Sequence, residues 1–208
     1  MAYRVVCISH ATGAQGEEIG RLAAESLGYR YLDDEIVARA AAAGGITAAE
    51  VADEERRKSL AARLLEAFGQ SGDAWALVSG QTTPAWEGVR SDDVRALVRE
   101  TISLIAAEGR VVIVAHGASH AVSRAHEALR VLVTASMETR AARVADAKDG
   151  DRAQAEREVK DADAARRDYL LRFYDIGEES PTQYDLVVNT DALSAEQAAL
   201  LISQLAST

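Results

Sequence analysis

Short, unbroken apolar runs alternate along this chain with longer segments in which apolar residues recur every three to four positions. The runs are typical of strands buried on both faces, and the longer segments are typical of helices with one buried face. The runs predict strands at Tyr3–Ile8, Tyr29–Leu32, Val111–Val114, Val131–Thr134 and Leu186–Val188. The recurring pattern predicts helices at Glu17–Leu27, Asp34–Ala43, Ala48–Phe68, Ser91–Glu108, Ala118–Arg124, Met137–Ala147, Asp151–Tyr174 and Ser194–Leu205.

This alternation predicts the fold class. A strand, a helix and a second strand form a right-handed crossover in a parallel sheet, and successive crossovers cover both faces of the sheet with helices. The pattern therefore predicts an α/β protein with a five-stranded parallel sheet between two helical layers. Ligands of such sheets bind outside the carboxyl ends of the strands, so the segments that leave the strands are the candidates for a site.

Composition narrows the class of protein. Hydrophobic residues make up 48% of the 208 residues, which is enough for a full core in one domain. The formal charge is 23 − 33 = −10, and such a surface repels nucleic acid. A single cysteine, Cys7, excludes an internal disulfide, and neither a signal peptide nor a stretch long enough to cross a membrane is recognisable. We expect a cytoplasmic protein that binds neither nucleic acid nor membrane.

The stretch "CISHATGAQGEEIG", residues 7–20, has the outline of a phosphate-binding loop. A phosphate site needs convergent backbone N–H groups, which small residues permit, and it benefits from the positive end of a helix dipole. The stretch provides a strand, a loop with two glycines and the start of a helix, but no lysine or arginine occurs before Arg21, so the GxxxxGK[ST] pattern is absent. The alternative is a tight strand-to-helix turn with Glu17 and Glu18 at a helix N-terminus.

Four segments in order along the chain resemble the cytidylate kinase-like family. "VVCISHATGAQGEEIGRLAAESLGYRYLDDEIV" is similar to the start of cytidylate kinases, and more closely to the branch whose glycine-rich loop lacks the usual lysine. "GRVVIVAHGASHAV" resembles the central strand with its loop, and "LRVLVTASMETRAARV" resembles the strand that leads into an arginine-bearing helix. "DADAARRDYLLRFYD", followed by "YDLVVNTDALS", resembles the lid helix, last strand and final helix. The resemblance covers about three quarters of the chain.

The resemblance implies a P-loop NTPase-type, three-layer αβα fold with a helical lid and NMP-binding inserts. It also implies a single domain over residues 1–208. The expected division is a core at residues 1–44, 91–144 and 184–208, a variable helical insert at 45–90 and lid-like helices at 145–175.

Enzymes of this kind transfer a phosphoryl group from ATP, with Mg²⁺, to a nucleoside monophosphate, and the protein mainly positions reactants and neutralises charge. The resemblance therefore implies a nucleotide kinase with ATP and Mg²⁺ as cofactors, nucleotides as partners, and CMP or dCMP as first acceptors to test. Two other interpretations stay open. One is a nucleotide-binding or regulatory protein that has kept the fold and lost efficient transfer, and the other is a kinase of a small molecule that is not a nucleotide.

On the donor side, the resemblance places four loop residues around the ATP phosphates: Gly13, Ala14, Gln15 and Gly16. Arg140 and Arg143 match the family's arginines near the donor nucleotide, and their spacing puts them on one helix face. Arg140 is also expected to act in the transfer itself. The alternative for this pair is a solvated helix edge.

On the acceptor side, Asp163 and Arg166 match the family's Asp-x-x-Arg. The aspartate would approach the acceptor nucleoside, and the arginine, whose fork of donors suits phosphate oxygens, would contact the transferring group. Both are expected to be catalytic and to bind substrate. The alternative is an ordinary i,i+3 ion pair. Asp33 and His116 are also expected in the acceptor pocket, although the neighbouring Asp34 leaves a helix N-cap as another interpretation.

Two departures from the family pattern bear on activity. Glu17 stands where relatives carry a small residue or an arginine, and a like charge at ~4 Å would cost about 4 kcal/mol at an effective dielectric constant near 20. Turning Glu17 away, or binding Mg²⁺ through it or through Glu18, would relieve the repulsion. His116 and Ala118 occupy positions where relatives carry an acceptor-phosphate arginine, so one cationic contact is missing.

Three further features carry weaker hypotheses. The segment 71–90 contains Trp75 and Trp86 without a helical period, and we expect it to cover a nucleobase, close a core or form a homodimer contact. His116 and His120 have metal-ligand spacing but no third ligand nearby, so no metal site is predicted. The mixed-charge run "ADEERRKS" at 52–59 is predicted to be a solvated helix face.

Overall fold

The computed structural model describes residues 2–33, 35–56, 91–122 and 127–208. Within these ranges five strands form one sheet in the order β2-β3-β1-β4-β5, and every neighbouring pair is parallel. Val5 pairs with Val111 on one side and Ala128 on the other, so β1 is the central strand. The strands are β1 Val5–His10, β2 Arg30–Leu32, β3 Val111–Val114, β4 Ala128–Thr134 and β5 Leu186–Asn189.

The helices form the outer layers. Helices α1 and α8 pack against each other on one face of the sheet, and α2 packs against α4 on the other. The described helices are α1 Gly16–Leu27, α2 Glu35–Gly44, α3 Ala48–Arg56, α4 Ser91–Glu108, α5 Ala118–Ala121, α6 Met137–Ala147, α7 Arg152–Tyr174 and α8 Ala195–Ala206. A short 3-10 turn, Pro181–Gln183, precedes β5.

Strand β1 shows why the sheet needs both layers. Successive side chains of a strand point to opposite faces. Val5 and Cys7 lie in the core beneath α2 and α4, whereas Val6 and Ile8 lie in the core beneath α1 and α8. All four are almost fully buried. Burial also raises the pKa of the Cys7 thiol to about 12, so this cysteine is a neutral core residue.

The predicted fold class is confirmed: a five-stranded, all-parallel sheet lies between two helical layers. The helix bounds predicted from the apolar pattern agree at Ser91–Glu108 and Met137–Ala147. Strand β4 begins three residues before the predicted Val131, at Ala128. This extension was not predicted, because the charged Arg130 interrupts the apolar run. In the structure the Arg130 guanidinium is buried and donates to the carbonyls of Ser119 and Val122.

Several predictions lie outside the described residues. They concern Asp34, the end of the third predicted helix at 57–68, residues 123–124, and the segment 71–90 with both tryptophans. The division of the domain into core, insert and lid-like helices, and the homodimer, stay predictions. In the described part of the chain, no helix combines the length and the apolar character needed to span a bilayer.

Candidate functional site

The loop between β1 and α1 is held in a left-handed conformation. Gly13 has φ +81°, and Gln15, the residue that begins α1, has φ 64°. A Cβ at Gly13 would lie 2.7 Å from the carbonyl oxygen of Arg140, so the loop backbone presses directly on helix α6. Only glycine combines this positive φ with so close an approach. Gly16 is just as crowded, by the ring of His10 at the end of β1.

The N-terminus of α1 is not capped by a side chain in the described structure, since Gln15 makes no such hydrogen bond. The helices α6, α7 and α8 are capped conventionally, by Ser136, Asp151 and Ser194, whose side-chain oxygens accept from first-turn amides. The first amides of a helix have no partner within the helix. Those of α1 can therefore serve an external anion, which the helix dipole also favours.

Arg140 and Arg143 brace the loop from helix α6. Arg143 Nη1 donates to the Gly13 carbonyl at 3.2 Å and to Thr190 Oγ1 at 2.9 Å. Thr190 is buried and in turn donates to the Ala14 carbonyl at 3.3 Å. Arg140 Nη1 lies 3.4 Å from the Thr12 carbonyl oxygen. The interpretation of this pair as a solvated helix edge is wrong, because both arginines hold the loop and Arg140 is only 7% exposed.

The two glutamates in the first turn of α1, Glu17 and Glu18, are both exposed. Glu17 pairs with Arg21 one turn along the helix, at 3.5 Å. Glu18 accepts a hydrogen bond from Gln15 Nε2 at 3.1 Å, at the mouth of the loop. The Glu17 carboxylate is thus engaged on the solvent side of α1, and the Glu18 carboxylate lies beside the loop residue Gln15.

Asp163 and Arg166 do not pair with each other, so the i,i+3 interpretation is wrong. Asp163 instead receives two hydrogen bonds from Arg140, at 2.8 and 2.9 Å, which join α7 to α6 beside the loop. The Nε atom of Arg140 is buried and has no hydrogen-bond partner within the described ranges. Arg166 makes its own bidentate pair with Glu179, at 2.9 and 2.7 Å.

The Arg166–Glu179 pair belongs to a polar cluster at the carboxyl end of β1. The Tyr184 hydroxyl donates to Glu179, lies 3.3 Å from His120 Nε2 and interacts with the Ser9 side chain. Burial raises the pKa of Glu179, but the hydrogen bonds and charge of Arg166 outweigh it, so the net pKa is lowered and Glu179 is ionised.

His10 connects this cluster to the loop. Burial lowers its pKa, and so does the charge of Arg166, while the nearby carboxylates of Glu17 and Asp33 oppose the shift. The His10 ring packs against Gly16. Arg166 therefore lies close enough to His10, at the end of β1, for its charge to lower the pKa of His10.

The structure brings Asp33 and His116 together, at the ends of the neighbouring strands β2 and β3. His116 Nε2 lies 3.8 Å from Asp33 Oδ1, and His116 Nδ1 lies 2.8 Å from Glu55 Oε1. The Glu55 side chain is only 12% exposed, so at this residue the prediction of a solvated face is wrong. His120 contacts Tyr174 and Tyr184 instead, so the two histidines do not share a ligand set.

The backbone at His116 is strained. Ala115, His116 and Gly117 all have positive φ, at 64°, 51° and 63°. The His116 carbonyl accepts hydrogen bonds from the hydroxyls of Tyr169 and Tyr174, at 2.9 and 2.6 Å. Such conformations cost of order 1–3 kcal/mol each in non-glycine residues and gather at functional sites. The two tyrosines of α7 hold this loop in place.

The partners of the predicted residues were not recognisable in the sequence. These are Ser9, Glu55, Tyr169, Tyr174, Glu179, Tyr184 and Thr190. No local pattern marks them, because all except Ser9 come to the site from a distant part of the chain. The one available signal was the position of Ser9, Tyr184 and Thr190 at or beside strand ends.

Comparisons with known proteins agree on family and fold. The sequence model of the cytidylate kinase-like family matches residues 5–192. A search of the curated proteins finds no match. An uncharacterized protein from Eubacterium ventriosum ATCC 27560 has a similar crystal structure, with a TM-score of 0.66 and 14% identity over 97% of both chains. The shikimate kinase from Bacteroides thetaiotaomicron has a TM-score of 0.51 and 16% identity over 98% of both chains. At these identities the likeness concerns the fold alone.

Proposed function

The chain belongs to the cytidylate kinase-like family, and on this premise we propose that it transfers a phosphoryl group from ATP to a nucleoside monophosphate. Membership of a kinase-like family supports phosphoryl transfer as the general class of chemistry. The identity of the acceptor is the finer part of the proposal, with CMP and dCMP as the first candidates.

The observation that carries the proposal is the uncapped start of α1, held open by two arginines of α6. The left-handed conformations of Gly13 and Gln15 shape the loop, and Arg143 holds the Gly13 carbonyl. The Ala14 amide closes the turn by donating to the Ala11 carbonyl at 3.0 Å. We propose that the amides of Gly13, Gln15 and Gly16 bind the donor phosphates, so that the loop works without a lysine.

The residues around the loop fit an ATP–Mg²⁺ complex. The helix N-terminus suits an anion, and Glu18 offers a carboxylate oxygen beside the loop, the kind of ligand that Mg²⁺ prefers. Magnesium, when bound, would neutralise charge on the donor phosphates. Arg140 and Arg143 would keep the loop in register and add positive charge behind it.

On the acceptor side, we assign to Arg166 the acceptor phosphate together with the phosphoryl group that is transferred to it, and we assign the rest of the acceptor nucleotide to Asp33, His116 and Asp163. Asp163 also fixes the guanidinium of Arg140, so one carboxylate connects the acceptor side to the donor loop. This coupling would align the two substrates, which is the main catalytic task in phosphoryl transfer.

The first test is isothermal titration of ATP into the protein with and without Mg²⁺. We expect binding that requires Mg²⁺ and that weakens at least about tenfold in Arg140→Ala, because the loop loses its brace and a charge. Arg152→Ala is the matched control, since Arg152 lies on the same helix pair but is exposed and pairs with Glu138. The absence of binding at millimolar ATP would contradict the proposal.

The second test is turnover with a panel of acceptors: CMP, dCMP, UMP, AMP and, as a non-nucleotide, shikimate. Arg166→Ala should lower kcat by roughly 10²–10³-fold with CMP, the size of effect seen when a transition-state donor is removed. The exposed neighbour provides the control variant Arg167→Ala. If Arg166→Ala loses stability in proportion to activity, Arg166 is structural and not catalytic.

A second function is favoured by His116. This residue stands where relatives carry an acceptor-phosphate arginine, and its ring is hydrogen-bonded to Glu55. On this alternative the protein binds nucleotide and regulates a partner without efficient transfer. Tight ATP binding combined with no turnover of any acceptor would support it.

Light scattering over a concentration series would test the proposed homodimer in the same samples.

A further inference from the structure

The Glu179 carboxylate sits in the guanidinium fork of Arg166 as an acceptor phosphate would. The pair is bidentate, and the side chains are only 22% and 16% exposed. Arginine binds carboxylates and phosphates through the same two parallel N–H donors. A carboxylate in this fork therefore excludes a phosphate from it.

The surroundings of the pair suit an anion with more than two oxygens. The Tyr184 hydroxyl donates to Glu179, and His120 Nε2 lies 3.3 Å from that hydroxyl. The charge of Arg166 lowers the pKa of His10, at the end of β1, and the His10 ring packs against Gly16 of the loop. An anion held by Arg166 and Tyr184 would thus lie at the carboxyl end of the central strand, on the acceptor side of the loop.

Glu179 is placed where it can be withdrawn. It lies outside regular structure, between the end of α7 at Tyr174 and the 3-10 turn at Pro181. The nearby Gly177 has open space where a Cβ would stand, with nothing within 4 Å. Displacing the carboxylate therefore requires movement of a surface segment and leaves helix α7 and strand β5 in place.

We propose that Arg166 and Tyr184 form the binding site for the acceptor phosphate, and that Glu179 is an internal competitor displaced by a phosphomonoester dianion. The proposal rests on the proposed function, and it adds Tyr184 as a phosphate-binding residue and Glu179 as a residue that sets acceptor affinity. A dianion outcompetes Glu179 because it brings a second charge and a third oxygen to the same donors.

The experiment measures binding of inorganic phosphate by isothermal titration, which needs neither ATP nor the correct nucleoside. Glu179→Gln removes the competing charge but keeps the shape, and we expect phosphate affinity to rise at least about tenfold. Glu178→Gln is the matched control, because it removes the same charge from the exposed neighbouring residue and should leave affinity unchanged. Adding Arg166→Lys to Glu179→Gln should abolish the gain.

Two further ligands separate this inference from the proposed function. Glu179→Gln should strengthen CMP binding but not cytidine binding, since cytidine lacks the phosphate. If CMP does not bind while phosphate shows the gain, the acceptor assignment fails and the phosphate site stands. If phosphate affinity is unchanged or weaker in folded Glu179→Gln, or if the gain persists without Arg166, the inference is overturned.

A second variant keeps the inference testable if Glu179→Gln fails to fold. Glu179→Asp retains the charge and retracts the carboxylate by one methylene, which breaks the bidentate pair. We expect a smaller gain in phosphate affinity, of about threefold. Tyr184→Phe in the same background should reduce that gain, because the hydroxyl then cannot donate to the phosphate. An undiminished gain would remove Tyr184 from the site.

Discussion

The strand-to-helix turns at this sheet edge fall into two kinds. The turns after β4 and β5 begin their helices with Ser136 and Ser194, in extended conformation, and each serine accepts a hydrogen bond from a first-turn amide. The turns after β1 and β3 begin their helices with Gln15 and Gly117, both left-handed, and neither is capped by a side chain in the described structure. The turns after β4 and β5 thus have a serine cap, whereas the turns after β1 and β3 have a left-handed residue in its place.

The turns after β1 and β3 are locally less stable than the turns after β4 and β5. A serine cap contributes typically about 1 kcal/mol, and a left-handed non-glycine residue costs roughly 1–2 kcal/mol. The turns after β1 and β3 lack this side-chain cap in the described structure and contain residues in the left-handed conformation, including Ala115 and His116. Side chains from α6 and α7 then hold these turns. A region that is strained and supported from elsewhere is typical of a binding site.

The largest effect should come from adding a side chain at Gly13, in the turn after β1. Gly13→Ala imposes both a left-handed alanine and a Cβ 2.7 Å from the Arg140 carbonyl oxygen. We expect a loss of about 2–4 kcal/mol in the free energy of unfolding and an ATP affinity at least about tenfold lower. Gly45→Ala is the control, because Gly45 also has positive φ but open space around it, and should cost about 1 kcal/mol. Equal losses in urea denaturation would mean that contact with α6 is unimportant.

Removing a cap from the other kind of turn should affect stability alone. Ser194 caps α8 in a capping box with Gln197. Ser194→Ala is expected to lower the free energy of unfolding by about 1 kcal/mol and to leave ATP affinity unchanged. The same titration and denaturation experiments measure both quantities. A parallel fall in ATP affinity would show that the two kinds of turn are energetically coupled.

A pH dependence should arise at the β1 turn. The pKa of His10 in the folded protein is lowered from 6.5, so near that pH the unfolded chain binds more protons than the folded one. The contribution of His10 to stability is therefore fully present above pH 6.5 and is lost as the pH falls. His10→Gln should flatten this acid loss in urea denaturation between pH 5 and 8. A slope unchanged from the wild type would assign it to other groups.

The smallest effect is expected at Glu17. Its carboxylate is exposed and pairs with Arg21, so at physiological salt it should repel ATP only weakly. Glu17→Gln should change ATP affinity by less than about twofold, measured by titration at 0.15 M salt. A large gain in ATP affinity in Glu17→Gln would place the carboxylate in the site.

Gln15→Gly, which replaces a left-handed glutamine in the same turn, should raise the free energy of unfolding by up to about 1 kcal/mol.

Much of the fold could be predicted from the sequence because its cause is local. Unbroken apolar runs identify β1 and β3, and the recurring apolar pattern identifies α6 and α8. Strand β4, which was predicted three residues too short, contains a buried arginine whose partners are carbonyls of another element. The loop between β1 and α1 was also recognisable as a candidate phosphate loop, since its small residues and following helix are adjacent in the chain.

The pairing of charges could not be predicted. Asp163 and Arg166 are neighbours on one helix, yet Asp163 binds Arg140 and Arg166 binds Glu179. Glu55 lies in a run of mixed charges typical of a solvated face, yet it contacts His116. Each arginine could reach several carboxylates, and the choice depends on which one is buried beside it.

The sequence by itself determined the layers, the strands and the place of the loop, because hydrophobic period and backbone conformation are properties of adjacent residues. Only the tertiary structure decided which arginines hold the loop, which carboxylate fills the fork of Arg166, and that Glu17 turns towards Arg21. Those choices are made between side chains far apart in the chain, and their energies depend on burial and distance, which exist only once the sheet has assembled.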